Sequence, residues 1–236
     1  MTDQPPQPDE ERWLHDFFDH ARSGFFVEVG LRQPARGSKT WPLETAGWTG
    51  VLVEPQPEIA AFLATARSAK VFAVACVAAD QAGELLPLRI ETPLSSIDIG
   101  QAATASPSNY VIMVPTRTLD DILREAEAPA PLDLLAVHVH GRELDALLGF
   151  DFERWQPRLI LIADPVVNLQ QHWFLKESGY RLVRRAGGRG WYVPAGSSAR
   201  QGNRWAVVRD YYLALPFRMA WHALRRLKTR ILASAK

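Results

Sequence analysis

Short, almost wholly apolar runs, separated by stretches with helical spacing, constrain the fold of this chain more than any other feature. The runs are Phe25–Gly30, Gly50–Pro55, Lys70–Ala79, Leu134–Val139 and Arg158–Ala163. A strand that is apolar on both faces must be covered on both, which is the condition of a parallel sheet layered between helices. The intervening stretches Glu11–Arg22, Ser38–Ala46, Pro57–Arg67, Thr118–Glu127, Arg142–Leu148 and Leu169–Ser178 supply those helices. Two further runs, Arg181–Arg185 and Trp191–Pro194, flank Gly187-Gly-Arg-Gly190 and predict an antiparallel hairpin at the sheet end. Leu86–Ile90 and Val111–Pro115 read as extra short strands around the segment 91–110. The expected architecture is α/β: a mostly parallel seven-stranded sheet with a C-terminal antiparallel hairpin.

A chain of 236 residues suits one such domain with extensions. The first eleven residues are acidic and proline-rich, with no basic-then-apolar leader, and are expected to be disordered as far as Arg12. The α/β domain is placed at 12–194, a small polar linker at 195–203, and a helical extension at 204–236. The single cysteine, Cys76, sits in an apolar run and is expected in the core; without a partner it fits a reducing cytoplasm. No apolar run reaches the roughly 18 residues of a membrane span.

Charge is distributed unevenly. The stretch 204–236 carries a net +7, which leaves −6 for the rest of a chain whose total is +1. Trp205, Val208, Tyr212, Leu215, Met219 and Leu227 recur there at helical spacing, and Pro216 should kink or divide the helix. A basic amphipathic segment on an acidic body predicts an anionic partner: the inner, cytoplasmic face of a membrane, or an acidic protein. The competing reading is that it packs on its own domain or forms a dimer seam. Nucleic acid is disfavoured because no reading motif accompanies the charge.

Four ordered motifs carry a resemblance. They are Gly47-Trp-Thr-Gly-Val-Leu-Val-Glu-Pro-Gln-Pro57, Val114-Pro-Thr-Arg-Thr-Leu-Asp-Asp121, Asp133-Leu-Leu with Val137-His-Val-His-Gly-Arg-Glu143, and Gly149-Phe-Asp-Phe-Glu-Arg-Trp155. Together they resemble the FkbM-type S-adenosylmethionine-dependent methyltransferases over about residues 24–194. Pro93-Leu-Ser-Ser96 is similar to that family's S-S segment. The resemblance implies a Rossmann-like class I methyltransferase fold and S-adenosylmethionine as cofactor. It implies that Glu28, Gly30 and Glu54 hold that cofactor, with Glu54 accepting the ribose hydroxyls; a cap on the following helix is the alternative for Glu54.

Three departures converge on one pocket. The family's glycine turn after the first strand is Gly30-Leu-Arg-Gln-Pro34 here, and proline cannot replace a turn glycine. His138 and His140 stand where the family has Asp and Glu. Ala163 stands where it commonly has glutamate, with Asp164 one place later. A neutral imidazole can still serve as a base, so His138 and His140 are the candidate catalytic residues. It cannot provide the fixed negative charge that suits a sulfonium cofactor. With Asp164 or Glu28 the histidines could ligate a metal; hydrogen-bonded histidines in an altered cleft are the more ordinary reading, and no metal is assigned. His172 reads as a helix-surface residue.

Two functions are therefore expected to compete. One is a methyltransferase-fold protein with lost or altered catalysis, weak or absent cofactor binding, and a binding or scaffold role. The other is an active O-methyltransferase acting on a sugar or natural-product hydroxyl.

Overall fold

The computed structural model describes residues 8–31, 38–90, 110–139, 141–163, 169–186 and 188–199, together with 209, 213 and 216. The strands are β1 (Phe25–Val29), β2 (Thr49–Val53), β3 (Lys70–Phe72), β4 (Ala75–Cys76), β5 (Leu85–Ile90), β6 (Tyr110–Arg117), β7 (Leu134–Val137), β8 (Leu159–Ala163), β9 (Tyr180–Ala186) and β10 (Arg189–Pro194). The helices are α1 (Pro8–Phe17), α2 (Trp41–Thr45), α3 (Pro57–Ala66), α4 (Leu119–Glu125), α5 (Glu143–Leu148), α6 (Phe152–Trp155) and α7 (Gln170–Glu177).

Seven strands form one mostly parallel sheet in the order β3-β2-β1-β7-β8-β10-β9. Only β10 runs antiparallel to its neighbours, β8 and β9. Side chains alternate between faces along each strand, so each strand feeds two cores. Val27, Val29, Val51, Val53, Leu135, Val137, Ile160 and Ile162 pack beneath α4, α5 and α7. Phe26, Leu52, Leu134, Leu159 and Leu161 pack against Leu14, Leu43, Ile59 and Leu63 of α1, α2 and α3. The all-apolar runs thus do what their composition requires.

Several expectations are corrected. The stretch Lys70–Ala79 is not one strand: a bend at Val74 moves the chain from the main sheet to a second, three-stranded sheet of order β4-β6-β5. There Ala75 and Cys76 pair parallel with Thr116 and Arg117. The helix expected over Glu11–Arg22 runs instead from Pro8 to Phe17; proline suits a first turn, whose N–H groups lack partners anyway. The helix expected from Ser38 begins at Trp41, because the Ser38 hydroxyl instead accepts the Trp41 N–H at 3.0 Å. β7 stops at Val137, two residues short of the expected end.

The family-like motifs prove to be joints of the fold. Gly47 has φ +108° and approaches the Arg22 carbonyl, while Trp48 is buried and donates its Nε1 proton to Ala21 O at 2.8 Å. Thr118 caps α4 by accepting the Asp121 N–H, and Asp120 accepts from Trp155 Nε1 at 2.7 Å. Asp133 ties the start of β1 to that of β8, through the Phe25 N–H at 3.0 Å and Arg158 at 2.8 Å. No helix among the described residues is long and apolar enough to cross a membrane. The expected linker is described only as far as Ala199. The expected extension at 204–236 lies outside the described residues apart from the three named above.

Candidate functional site

The parallel strands β1, β2, β7 and β8 all point their C-terminal ends the same way, and in open α/β sheets that edge receives ligands. Each predicted site residue that the structure describes lies there. Glu28 is the penultimate residue of β1, Gly30 follows the strand, Glu54 follows β2, and His138 follows β7.

Gly30 joins β1 to both neighbours. Its N–H donates to Val53 O at 2.8 Å, and the His138 N–H donates to Val29 O at 2.8 Å. With φ +84°, the backbone of Gly30 passes so close to His138 that any Cβ would collide with the His138 carbonyl. Only glycine satisfies both the conformation and the approach. The glycine is thus demanded by the protein's own packing.

Glu28 is 6% exposed, and its charge is met by the returning chain. Ser38 Oγ donates to its Oε2 at 2.9 Å, Thr40 Oγ1 donates to the same oxygen at 2.6 Å, and the Lys39 N–H reaches Oε1 at 3.2 Å. Behind them lies Arg67, whose side chain is fully buried. It donates from Nη1 to Ser38 Oγ at 3.2 Å and from Nη2 to Thr40 Oγ1 at 2.9 Å. Its Nε pairs with Glu44. Burial opposes the charge of Glu44, but bonds from Ser68, from Arg67 with its charge, and from the Ala69 N–H outweigh it and hold this carboxyl below its ordinary range. Arg67 also lies over the Phe26 and Trp41 rings. The sequence reading missed this cluster, although Ser38, Thr40, Glu44 and Arg67 were all visible as polar residues inside otherwise helical stretches.

Glu54 is 5% exposed, and its Oε1 accepts the Gln56 N–H at 2.9 Å, just where α3 begins. The bond closes a tight turn ahead of α3, whose N-cap residue, Gln56, makes no side-chain cap hydrogen bond of its own.

The β7 side is built differently. His138 is half-buried and lies beyond the end of β7, so strand alternation does not set the direction of its side chain. His140 and Asp164 lie outside the described residues. Among the described residues, no three His, Cys, Asp or Glu side chains are grouped as metal ligands. Ala163 pairs with Arg189 of β10. The acid that remains after β7 is Glu143, 1% exposed, and it accepts the Gly141 N–H at 2.9 Å and Gln171 Nε2 at 3.2 Å. It folds the turn after β7 back and ties α5 to α7.

His172 is not the surface residue expected. It is half-buried, with Nδ1 3.1 Å from the hydroxyl of the buried Tyr192, and burial followed by nearby Lys176 pushes its pKa below the usual histidine value. Cys76 is a core residue, its thiol pushed far up by burial. A cleft of about 710 Å³ lined by Trp13, Asp16, Phe17, Asp19 and Arg158 lies beside the start of β8. That is the opposite end of the sheet from Glu28, so the cleft is separate from the candidate site.

The donor set fits one half of a nucleoside sulfonium ligand. Carboxylates at the ends of adjacent strands suit a ribose diol and an ammonium group. The β7 and β8 ends carry His138 and Ala163, and the buried acid that follows β7, Glu143, is occupied by Gly141 and Gln171. Leu31, in the position of the turn residue after Gly30, is 4% exposed and packs into the core with Leu43 and Phe26. The family model described as Methyltransferase FkbM domain matches residues 29–182. Among curated proteins, none matches the chain significantly.

Proposed function

Because the chain belongs to the FkbM methyltransferase family, we propose that it keeps the nucleoside-holding half of a methyltransferase site while methyl transfer in the family's form is lost or altered. The family generally uses S-adenosylmethionine, whose chemistry is an electrophilic methyl group. In this reading Glu28 orients the cofactor's amino-acid end, Gly30 lets the chain pass the cofactor edge, and Glu54 accepts the ribose hydroxyls. The observation that carries the reading is the split along one sheet edge. Buried carboxylates end β1 and β2, while His138 follows β7 and Ala163 ends β8.

With His138 and Ala163 standing where the family has acids, the site loses charge complementarity to a sulfonium, and affinity falls with it. The protein then acts as a weak cofactor-binding or scaffold protein. A second reading rests on the half-buried His138, whose backbone carbonyl lies against Gly30 and whose imidazole would accept a hydroxyl proton from a sugar-like acceptor.

Titration calorimetry with S-adenosylmethionine and with S-adenosylhomocysteine tests the proposal. The expected dissociation constants are weaker than about 100 μM for both, and Glu54→Ala should remove binding altogether. Micromolar or tighter affinity in the wild-type chain would overturn the altered-site reading and favour the second one.

A further inference from the structure

We propose that Arg67 is a positioning residue for Glu28, acting through Ser38 and Thr40; this rests on the reading that Glu28 orients a nucleoside cofactor. The chemistry of the four groups fixes the direction of the relay. A guanidinium can only donate, and each hydroxyl has a single proton. Arg67 Nη1 and Nη2 occupy acceptor sites on Ser38 Oγ and Thr40 Oγ1, and the Trp41 N–H occupies another on Ser38. Both hydroxyl protons are therefore turned towards Glu28 Oε2, at 2.9 and 2.6 Å. In a buried setting, bonds aligned in series polarise one another.

The relay has two effects on the site. It anchors the chain at 38–40 against the end of β1. It also saturates Oε2, so that the acceptor capacity left to Glu28 is on Oε1, which takes the Lys39 N–H at the longer distance of 3.2 Å. A ligand ammonium would be received there. Glu44 holds the far end of Arg67, so the guanidinium cannot rotate away without breaking a buried ion pair.

The test is ligand-observed NMR titration of the full chain with millimolar S-adenosylhomocysteine, alongside thermal unfolding. Thr40→Val removes the shorter of the relay's two limbs and leaves the Ser38 limb and the Arg67–Glu44 pair in place. It should weaken binding about tenfold, the scale of a lost hydrogen bond to a charged group. Thr40→Ser should restore binding to within about threefold, because the hydroxyl is back. The double variant Thr40→Val with Glu28→Gln should bind no more weakly than Glu28→Gln alone, since Thr40 acts only through Glu28. Wild-type affinity in a folded Thr40→Val, failure of Thr40→Ser to rescue, or additive losses in the double variant would each overturn the positioning role and leave the proposed function standing. If the wild-type chain binds neither cofactor nor product at millimolar concentration, both fall together.

Discussion

Two halves of a single sheet edge differ sharply in this protein. At the ends of β1 and β2, Glu28 and Glu54 are buried and hydrogen-bonded, with Arg67, Glu44, Ser38 and Thr40 packed behind Glu28. Across the Gly30 seam, β7 and β8 end in a half-buried His138 and in Ala163, and Glu143 is occupied with Gly141 and Gln171. The difference teaches that a residue matching a family motif can be held in place by the fold as firmly as by a ligand. Glu28, Glu143 and Gly30 have internal reasons to stay.

The seam itself is the most severe place to break the comparison. Gly30→Ala puts a Cβ against the His138 carbonyl at φ +84°, and both faults act together. The expected loss is about 4 kcal/mol, combining backbone strain with overpacking, read from urea unfolding. A loss below about 1 kcal/mol would mean that the two halves are not rigidly joined.

Next in size is the anchor of the first half. Glu44→Gln leaves the buried Arg67 without its countercharge and should cost about 3 kcal/mol at neutral pH. The folded pKa of Glu44 lies below its usual 4.5, so the stabilisation is complete above that value and is lost as pH falls through the folded value. Denaturation of both proteins at pH 7 and at successively lower pH should therefore show the gap between them closing. A gap independent of pH would deny the ionic origin.

The smallest effect belongs to the second half. The folded pKa of His172 lies below its usual 6.5, because burial and Lys176 disfavour the imidazolium. Its contribution is present above 6.5 and lost as pH falls from there through the folded value. His172→Asn should flatten that part of the stability profile by less than about 1 kcal/mol, leaving the Glu44 part at lower pH untouched. Movement of both parts would show that the halves are coupled.

The sequence by itself determined the sheet. Strands apolar on both faces can only be buried between two helical layers, and the four ordered motifs are legible because they are joints with strict local demands. Gly47 must take a positive φ, Thr118 must cap α4, and Asp133 must reach two strand starts. The apolar runs and the family resemblance together placed Glu28, Glu54 and His138 towards the C-terminal ends of strands. Tertiary structure decided the rest, because it depends on residues distant in sequence. Nothing local says that Arg67, at the end of α3, turns two hydroxyls onto a carboxylate 39 positions earlier. Nothing local says that Lys70–Ala79 divides between two sheets, since its pattern suits a strand in either. His172 has the helical spacing of a surface residue, and only the approach of β10 supplies the Tyr192 hydroxyl that draws it inward. Alternating hydrophobicity records which face of an element is buried; it does not record which polar groups will meet there.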